Sequence, residues 1–178
     1  MLKRWSIGSV VIALVILMVV PAASAGRHGT DRPFKASFAG EVHWEFPGDF
    51  ASECSEVTTV TDSFGKATHM GRTESLWSHC PDEDSDHEPS DGRITLIAAN
   101  GDELYGVYDY PAIDDGSPIV FNGGTGRFAN ATGEATVVYD VIPVFVEGCD
   151  IDSEDPFPCM DFSVPWQWSS TLTGTISY

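Results

Sequence analysis

"MDFSVPWQWSSTLTGTISY", residues 160–178, splits into two sets by every second position. Met160, Phe162, Val164, Trp166, Trp168, Ser170, Leu172, Gly174, Ile176 and Tyr178 fall on one side. Asp161, Ser163, Pro165, Gln167, Ser169 and a run of Thr and Ser fall on the other. Only a period of two separates apolar from polar residues so cleanly, and the 3.6-residue period of a helix would mix them. A straight ribbon of this length spans ~60 Å at ~3.3 Å per residue. That is wider than a domain of this size, so the ribbon must bend or break, and Ser169-Ser170 or Gly174 is the expected place.

The same alternation opens the folded part of the chain. In "FKASFAGEVHWEF", Phe34, Ala36, Phe38, Gly40, Val42, Trp44 and Phe46 face one way, and Lys35, Ser37, Ala39, Glu41, His43 and Glu45 the other. "SEVTTVTDS" and "KATHMGRTESLWS", rich in Thr and Val, read as two strands separated by Phe64-Gly65. "RITLIAA" and "ELYGVYD" flank Asn100-Gly101, the residues that a tight hairpin with positive φ demands. "SPIVF" and "GEATVVYDVIPVFV" flank the turn-rich "NGGTGRFANAT". No helical periodicity of three turns occurs beyond residue 25. Roughly eight β segments joined by Gly/Asn turns indicate an antiparallel barrel or sandwich. A closed barrel best answers the edge problem that long apolar strands create.

Residues 1–25 read as a secretory signal peptide. Lys3 and Arg4 precede the apolar run "SIGSVVIALVILMVV", and "PAASA" places Ala23 and Ala25 before a cut ahead of Gly26. The apolar run is shorter than the ~20 residues of a spanning helix. Residues 26–33 are expected to form a flexible N-terminal segment, and 34–178 a single β-barrel domain of about 150 residues. The location implied is secreted, extracellular or periplasmic.

The chain has 27 acidic and 9 basic residues, a net charge of −18. Losing Lys3 and Arg4 leaves seven basic residues and a charge near −20. Such an excess repels nucleic acid and anionic lipid, so neither is an expected partner. Four cysteines downstream of the signal fit an oxidising compartment. They permit three pairings; Cys54 with Cys80 and Cys149 with Cys159 are favoured, because each closes a modest loop around a strand connection.

"FNGGTGRFANATGEATVVY", residues 121–139, resembles the Gly-Gly-Thr-Gly-Arg/Lys-Phe segment of the allene oxide cyclase and dirigent proteins. "KATHMGRTES" and "AANGDELYGVY" are similar to segments of secreted bacterial proteins in that barrel group. The resemblance implies a calycin-like, eight-stranded closed barrel. It also brings two activities into view, fatty-acid oxide cyclisation and stereo-directed radical coupling. Neither family's catalytic positions carry over onto this chain residue by residue, and fold alone does not carry function.

Trp44, Tyr105, Tyr108, Tyr139, Trp166 and Trp168 are the aromatics expected to line the interior. There they either fill a core or hold one small hydrophobic or aromatic ligand, with Tyr O–H and Trp N–H groups orienting it. Glu41, His43 and Glu45 alternate on one face, an arrangement able to move a proton, but that face is opposite Val42 and Trp44 and is expected to meet water. Asp82, Asp84 and Asp86 invite a calcium reading; the EF-hand template then wants Gly and Glu where His87 and Arg93 stand. A solvated acidic loop is expected there, and likewise for Asp150, Asp152, Glu154 and Asp155. His69, His79, Cys80 and His87 match no standard zinc spacing. No metal and no cofactor is expected. Three functions follow: an exported binding or structural barrel, a barrel enzyme of the cyclase or dirigent kind, and a small outer-membrane barrel, suggested by the terminal Tyr178 behind alternating Ile176, Gly174 and Leu172.

Overall fold

The computed structural model describes residues 30–45, 58–80, 92–108, 116, 118–149 and 156–178. Eight strands follow in chain order: β1 (Arg32–Glu45), β2 (Thr58–Ala67), β3 (Gly71–His79), β4 (Gly92–Ala98), β5 (Glu103–Tyr108), β6 (Pro118–Gly124), β7 (Thr132–Ile142) and β8 (Trp166–Ser177). Each pairs antiparallel with the next, and β1 pairs with β8, so the sheet closes into a barrel without an edge. The disulfide-bonded, all-β, eight-stranded closed barrel expected from the alternation and the motif is therefore the observed architecture.

Alternation decides what goes inside. Phe34, Ala36 and Phe38 of β1, Ile94 and Leu96 of β4, Leu104 of β5, Ile119 and Phe121 of β6, Val137 of β7 and Leu172 and Ile176 of β8 all point inward and are buried. Each large side chain removed from water contributes about 1.5–3 kcal/mol to the folded state. Phe34 meets Phe121 edge-on at 5.1 Å, across the barrel from strand to strand.

The connections divide by length, and this gives the barrel two unlike ends. Three short turns, 68–70, 99–102 and 125–131, lie at one end, together with the start of β1 and the end of β8. That end is sealed. Phe128, on a 3-10 turn (Gly126–Phe128), is fully buried and packs edge-on to Tyr178 at 5.0 Å. The Arg32 guanidinium lies 4.8 Å from the Tyr178 ring and donates to its hydroxyl at 3.1 Å. The other end receives the four long connections, 46–57, 80–91, 109–117 and 143–165.

Three local expectations need correcting. β2 runs straight through Phe64-Gly65, and the chain reverses at Thr68–Met70 instead. Phe64 points outward, 65 % exposed, and Gly65 lets β1 approach, since a Cβ there would meet the Ser37 carbonyl oxygen at 1.8 Å. His69 takes the positive φ of the turn, 69°, and Gly71 follows at 74°. The terminal ribbon breaks neither at Ser169-Ser170 nor at Gly174; it breaks before Trp166. Asp161 Oδ1 accepts hydrogen bonds from the Ser163 backbone N–H at 2.9 Å and from its hydroxyl, winding a side-chain turn, and Pro165 has no N–H to offer a ladder. β7 ends at Ile142, before Pro143, and the chain beyond it forms a small side ribbon: Phe145 bridges Met160, Val146 N–H donates to the Cys159 carbonyl at 2.8 Å, and Asp161 N–H to that of Val144 at 2.7 Å.

That side ribbon carries the Cys149–Cys159 disulfide, ten residues apart with Cα atoms 5.6 Å from each other. Cys80, at the end of β3, is also disulfide-bonded; Cys54, its expected partner, lies outside the described residues. A Cys149→Ser/Cys159→Ser double variant is expected to lose about 2–3 kcal/mol, the loop-closure value for so short a loop. Urea midpoints with and without the bridge measure it, and a loss below ~1 kcal/mol would mean that the ribbon holds itself without the bridge.

Candidate functional site

The inner wall changes character along the barrel axis. Toward the sealed end it is aliphatic and Phe-rich. Toward the other end, where the long connections join the strands, it carries hydroxyls, indoles, phenols and an imidazole. Thr59, Thr61 and Ser63 of β2 point inward and are buried, as is Ser75 of β3, with Trp77 and His79 further along the same face. Ser170 of β8 completes the hydroxyl set. The register explains the grouping: Thr61 faces Val42 on one side and Trp77 on the other, and Thr59 faces Trp44 and His79.

Most of these groups have partners. Trp77 Nε1–H donates to Ser75 Oγ at 2.6 Å, and Ser63 Oγ to the Ser75 carbonyl at 3.4 Å. His79 Nδ1 lies 2.9 Å from the Tyr108 hydroxyl, which also reaches the Ser78 carbonyl at 3.3 Å. Tyr108 is seated by Gly92 opposite it, where a Cβ would stand 2.4 Å from the ring. Burial holds the His79 imidazole neutral, with its pKa lowered from 6.5 to about 4. A neutral imidazole within hydrogen-bond reach of a phenol can exchange a proton with it.

Two polar atoms stand apart. Trp168 Nε1 and Ser170 Oγ, two positions apart on the inward face of β8, are enclosed with no hydrogen-bond partner among the described residues. Their residues are 8 % and 3 % exposed. A buried donor without an acceptor costs about 1–3 kcal/mol, so this pair calls for a guest, water or ligand. Around it the rings form a cluster. Tyr139 of β7 stacks on Trp168 at 4.8 Å and 16°, Trp77 lies tilted to Trp168 at 5.9 Å, and Tyr108 meets Trp77 edge-on at 5.5 Å. At the rim Trp44, Trp166 and Phe162 make a second trio, with centroids 4.4–4.9 Å apart. Trp166 Nε1–H donates to the Asp161 carbonyl at 2.7 Å, which anchors the rim to the side ribbon.

Of the six aromatics expected inside, Tyr108, Trp166 and Trp168 are buried on the inner face, Tyr139 is half-buried on it, and Trp44 is half-buried at the rim. Tyr105 is not inside. It alternates with the inward Leu104 and Gly106, and on the outer wall its hydroxyl donates to the Glu103 carboxylate, a bond that raises the phenol pKa. Tyr105 and Tyr108, three positions apart on one strand, cannot share a face. Trp77, His79, Ser63, Ser75 and Ser170 were missed as site residues. Their signal was present in "TTVTDS" and "TESLWSH", where Thr/Ser/Trp/His alternate with Val, Asp, Glu and Leu, but a polar face reads by habit as the wet one.

Glu41 and His43 lie on the outer wall as expected, and His43 Nε2 is 3.7 Å from Glu45 Oε1. His69 sits at the sealed end, its ring nitrogen 3.0 Å from the Pro33 carbonyl, far from His79 at the opposite end of β3. Among the described residues no three His, Cys, Asp or Glu side chains gather to hold a metal ion. Asp82, Asp84, Asp86, His87 and Asp150–Asp155 lie outside the described residues. A groove of about 400 Å³ crosses β7, β8 and β1, lined by Ala39, Gly40, Glu41, Asp140, Ile142, Gln167, Trp168 and Ser169, and it is open to solvent.

No protein-family model matches the chain, and no curated protein matches it. Among solved structures, the chain is similar to the pterocarpan synthase dirigent protein, with a TM-score of 0.45 and 12 % identity over 83 % of this chain and 86 % of that one.

Proposed function

We propose that this is an exported barrel that binds one small hydrophobic or aromatic molecule within the end opposite the sealed one, with Trp168 and Ser170 supplying the polar contacts. The observation that carries this reading is the enclosed, unpartnered Trp168 Nε1 and Ser170 Oγ within a shell of rings. Pockets that recognise small molecules pair an apolar lining with a few convergent polar groups, and this wall has both. Export is supported by the charged-apolar-small pattern of residues 1–25 and by the disulfides. The outer wall argues against the outer-membrane alternative. The outward residues of β8 are Gln167, Ser169, Thr171, Thr173, Thr175 and Ser177, and β1–β3 present Lys35, Glu41, Asp62, Lys66, Arg72 and Glu74, where lipid would require an apolar band. Among the described residues no helix is long and apolar enough to cross a membrane.

The test is a calorimetric and Trp-fluorescence screen of the purified protein against fatty acids and phenols. Saturable binding of at least one compound class is expected. Ser170→Ala is expected to weaken that binding about tenfold while stabilising the free barrel by ~1 kcal/mol, because it deletes an unsatisfied hydroxyl. Loss of stability in Ser170→Ala, with binding unchanged, would return Ser170 to an ordinary core role and remove the basis of the proposal.

One observation favours a second reading, the enzyme. The His79–Tyr108 pair stands at the same end and is able to pass a proton to or from a guest. Product formation from a library compound, abolished in His79→Gln but with binding retained, would establish it. Binding without turnover leaves the barrel a carrier or sensor.

A further inference from the structure

The strands around the two unpartnered atoms restrict what a guest can be. Trp168 of β8, Gly40 of β1, Ser63 of β2 and Ser75 of β3 form one row around the wall, each paired in register with the next. Gly40 falls in the inward phase between Phe38 and Val42 and brings no side chain, so the wall is bare beside the indole. Ser170 stands next to this row, paired with Phe38 on one side and Tyr139 on the other. The neighbouring donors are already engaged, Trp77 Nε1–H with Ser75 Oγ and the Ser63 hydroxyl with the Ser75 carbonyl. Trp168 Nε1–H and the Ser170 hydroxyl find no acceptor among the described residues.

Hydrogen bonding sets the first restriction. An indole N–H only donates, so the group that meets it must accept. The Ser170 hydroxyl, two positions along the same face, can donate as well. A carbonyl oxygen has two lone pairs and no hydrogen, and it can accept from both. The Nε1–H bond lies in the indole plane, so that oxygen sits at the edge of the stack that Trp168 makes with Tyr139, whose rings are 16° from parallel. There the body of a flat guest can meet Trp77, tilted 58° from Trp168.

Charge sets the second. Among the described residues every Lys and Arg is exposed, and no Asp or Glu of a strand falls in the inward phase. Burial keeps the His79 imidazole neutral at neutral pH. A carboxylate or an ammonium brought against this wall would give up its water and meet no opposite charge.

We propose that the guest is an uncharged, planar aromatic ketone or aldehyde, its carbonyl oxygen accepting hydrogen bonds from Trp168 Nε1–H and the Ser170 hydroxyl. This rests on the reading of the barrel interior as a ligand site and narrows its chemistry. Fatty-acid carboxylates fall outside it.

A set of naphthalenes of nearly equal shape separates the possibilities: 2-acetonaphthone, its hydrocarbon isostere 2-isopropenylnaphthalene, and the anion 2-naphthoate. Each is titrated calorimetrically against the purified protein at neutral pH. The ketone is expected to bind about tenfold tighter than the hydrocarbon, because a site with unpaired donors rejects an analogue that cannot accept. Naphthoate is expected to bind weakest. Trp168→Phe and Ser170→Ala should each weaken ketone binding about tenfold and leave hydrocarbon binding within about threefold. Thermal transitions check the folding of both variants. The infrared carbonyl stretch of the bound ketone should lie below its frequency in hexane and move up in each variant, a readout that a merely structural role would not shift. If the hydrocarbon binds as tightly as the ketone, the carbonyl inference fails and the pocket stands. If naphthoate binds tightest, the uncharged wall does not select the guest and the inference fails. If both variants keep the native preference for the ketone, its oxygen lies elsewhere and the proposal is overturned. If none of the probes binds, the pocket reading fails with it.

Discussion

Gly174→Ala is expected to destabilise the barrel by about 3–5 kcal/mol, at the severe end for a single methyl group. Gly174 points into the barrel from β8, paired with Phe34 of β1 and Ala135 of β7. A Cβ there would stand 1.9 Å from the Glu134 carbonyl oxygen and 2.5 Å from the Ala135 Cα. Both are backbone atoms, so no side chain can rotate aside; β7 and β8 would have to part and surrender ladder hydrogen bonds. Glycine at this place lets two strands approach where the wall curves. Thr173→Ala, one residue away but facing solvent, is the control and should change stability by less than ~0.5 kcal/mol. Denaturant midpoints compare the two. A Gly174→Ala loss under ~1 kcal/mol would mean that the wall can flex here, and the close approach would not be what shapes the barrel.

That glycine also marks the limit of what periodicity could say. Alternation placed Trp166, Trp168, Leu172 and Ile176 on the inner face correctly, because burial of large side chains dominates strand energetics and leaves a period of two. Gly174 and Ser169-Ser170 were the expected places for a break, because a straight ribbon of that length would overrun a domain of this size. The observed strand runs through both, since a Gly facing a neighbouring backbone is required by contact that no single-strand pattern contains. Phe64-Gly65 failed for the same reason. The candidate site was legible in part. Trp44, Tyr108, Tyr139, Trp166 and Trp168 were visible as aromatics in phase, and Tyr105 was out of phase with Tyr108 on the sequence itself. The hydroxyl face of β2 and β3 was not, because an interior built of Thr and Ser inverts the usual sign of alternation. Only the register Thr61↔Trp77 and Thr59↔His79 reveals it as one wall.

The inverted wall has a thermodynamic reading. A core filled to the end with aliphatic side chains would be more stable than one holding Ser63, Ser75, Ser170 and an enclosed indole N–H. Sites that bind tend to carry such unfavourable groups, and a stabilising replacement there tends to cost function. A gradient therefore runs along one axis, from Phe34, Leu104 and Phe128 at the sealed end to Ser170, Trp168 and His79 toward the other. On the proposed reading, one end supplies stability and the other recognises the ligand.

The native chain is expected to lose about 3 kcal/mol of stability, relative to a His79→Gln variant, as the pH falls from 7 to 4. The sign follows from linkage. In the unfolded chain His79 titrates near 6.5; in the barrel, burial lowers this to about 4. Above pH 6.5 the imidazole is neutral in both states and the full stability is present. Between pH 6.5 and about 4 the unfolded chain takes up a proton that the barrel refuses, so stability drains away at up to about 1.4 kcal/mol per pH unit. Below about pH 4 both states are protonated and the loss stops. The acidic surface acts in the opposite direction over the same range, since protonating a crowd of carboxylates relieves their mutual repulsion. A single stability curve would mix the two effects. The amide introduced by His79→Gln keeps a polar group near the Tyr108 hydroxyl but cannot titrate, so the difference between the two curves isolates the imidazole. Parallel curves between pH 7 and 4 would mean that His79 is protonated as readily in the barrel as in the unfolded chain. The His79–Tyr108 pair would then be open to water, and the proton-moving reading of this end would lose its dry setting.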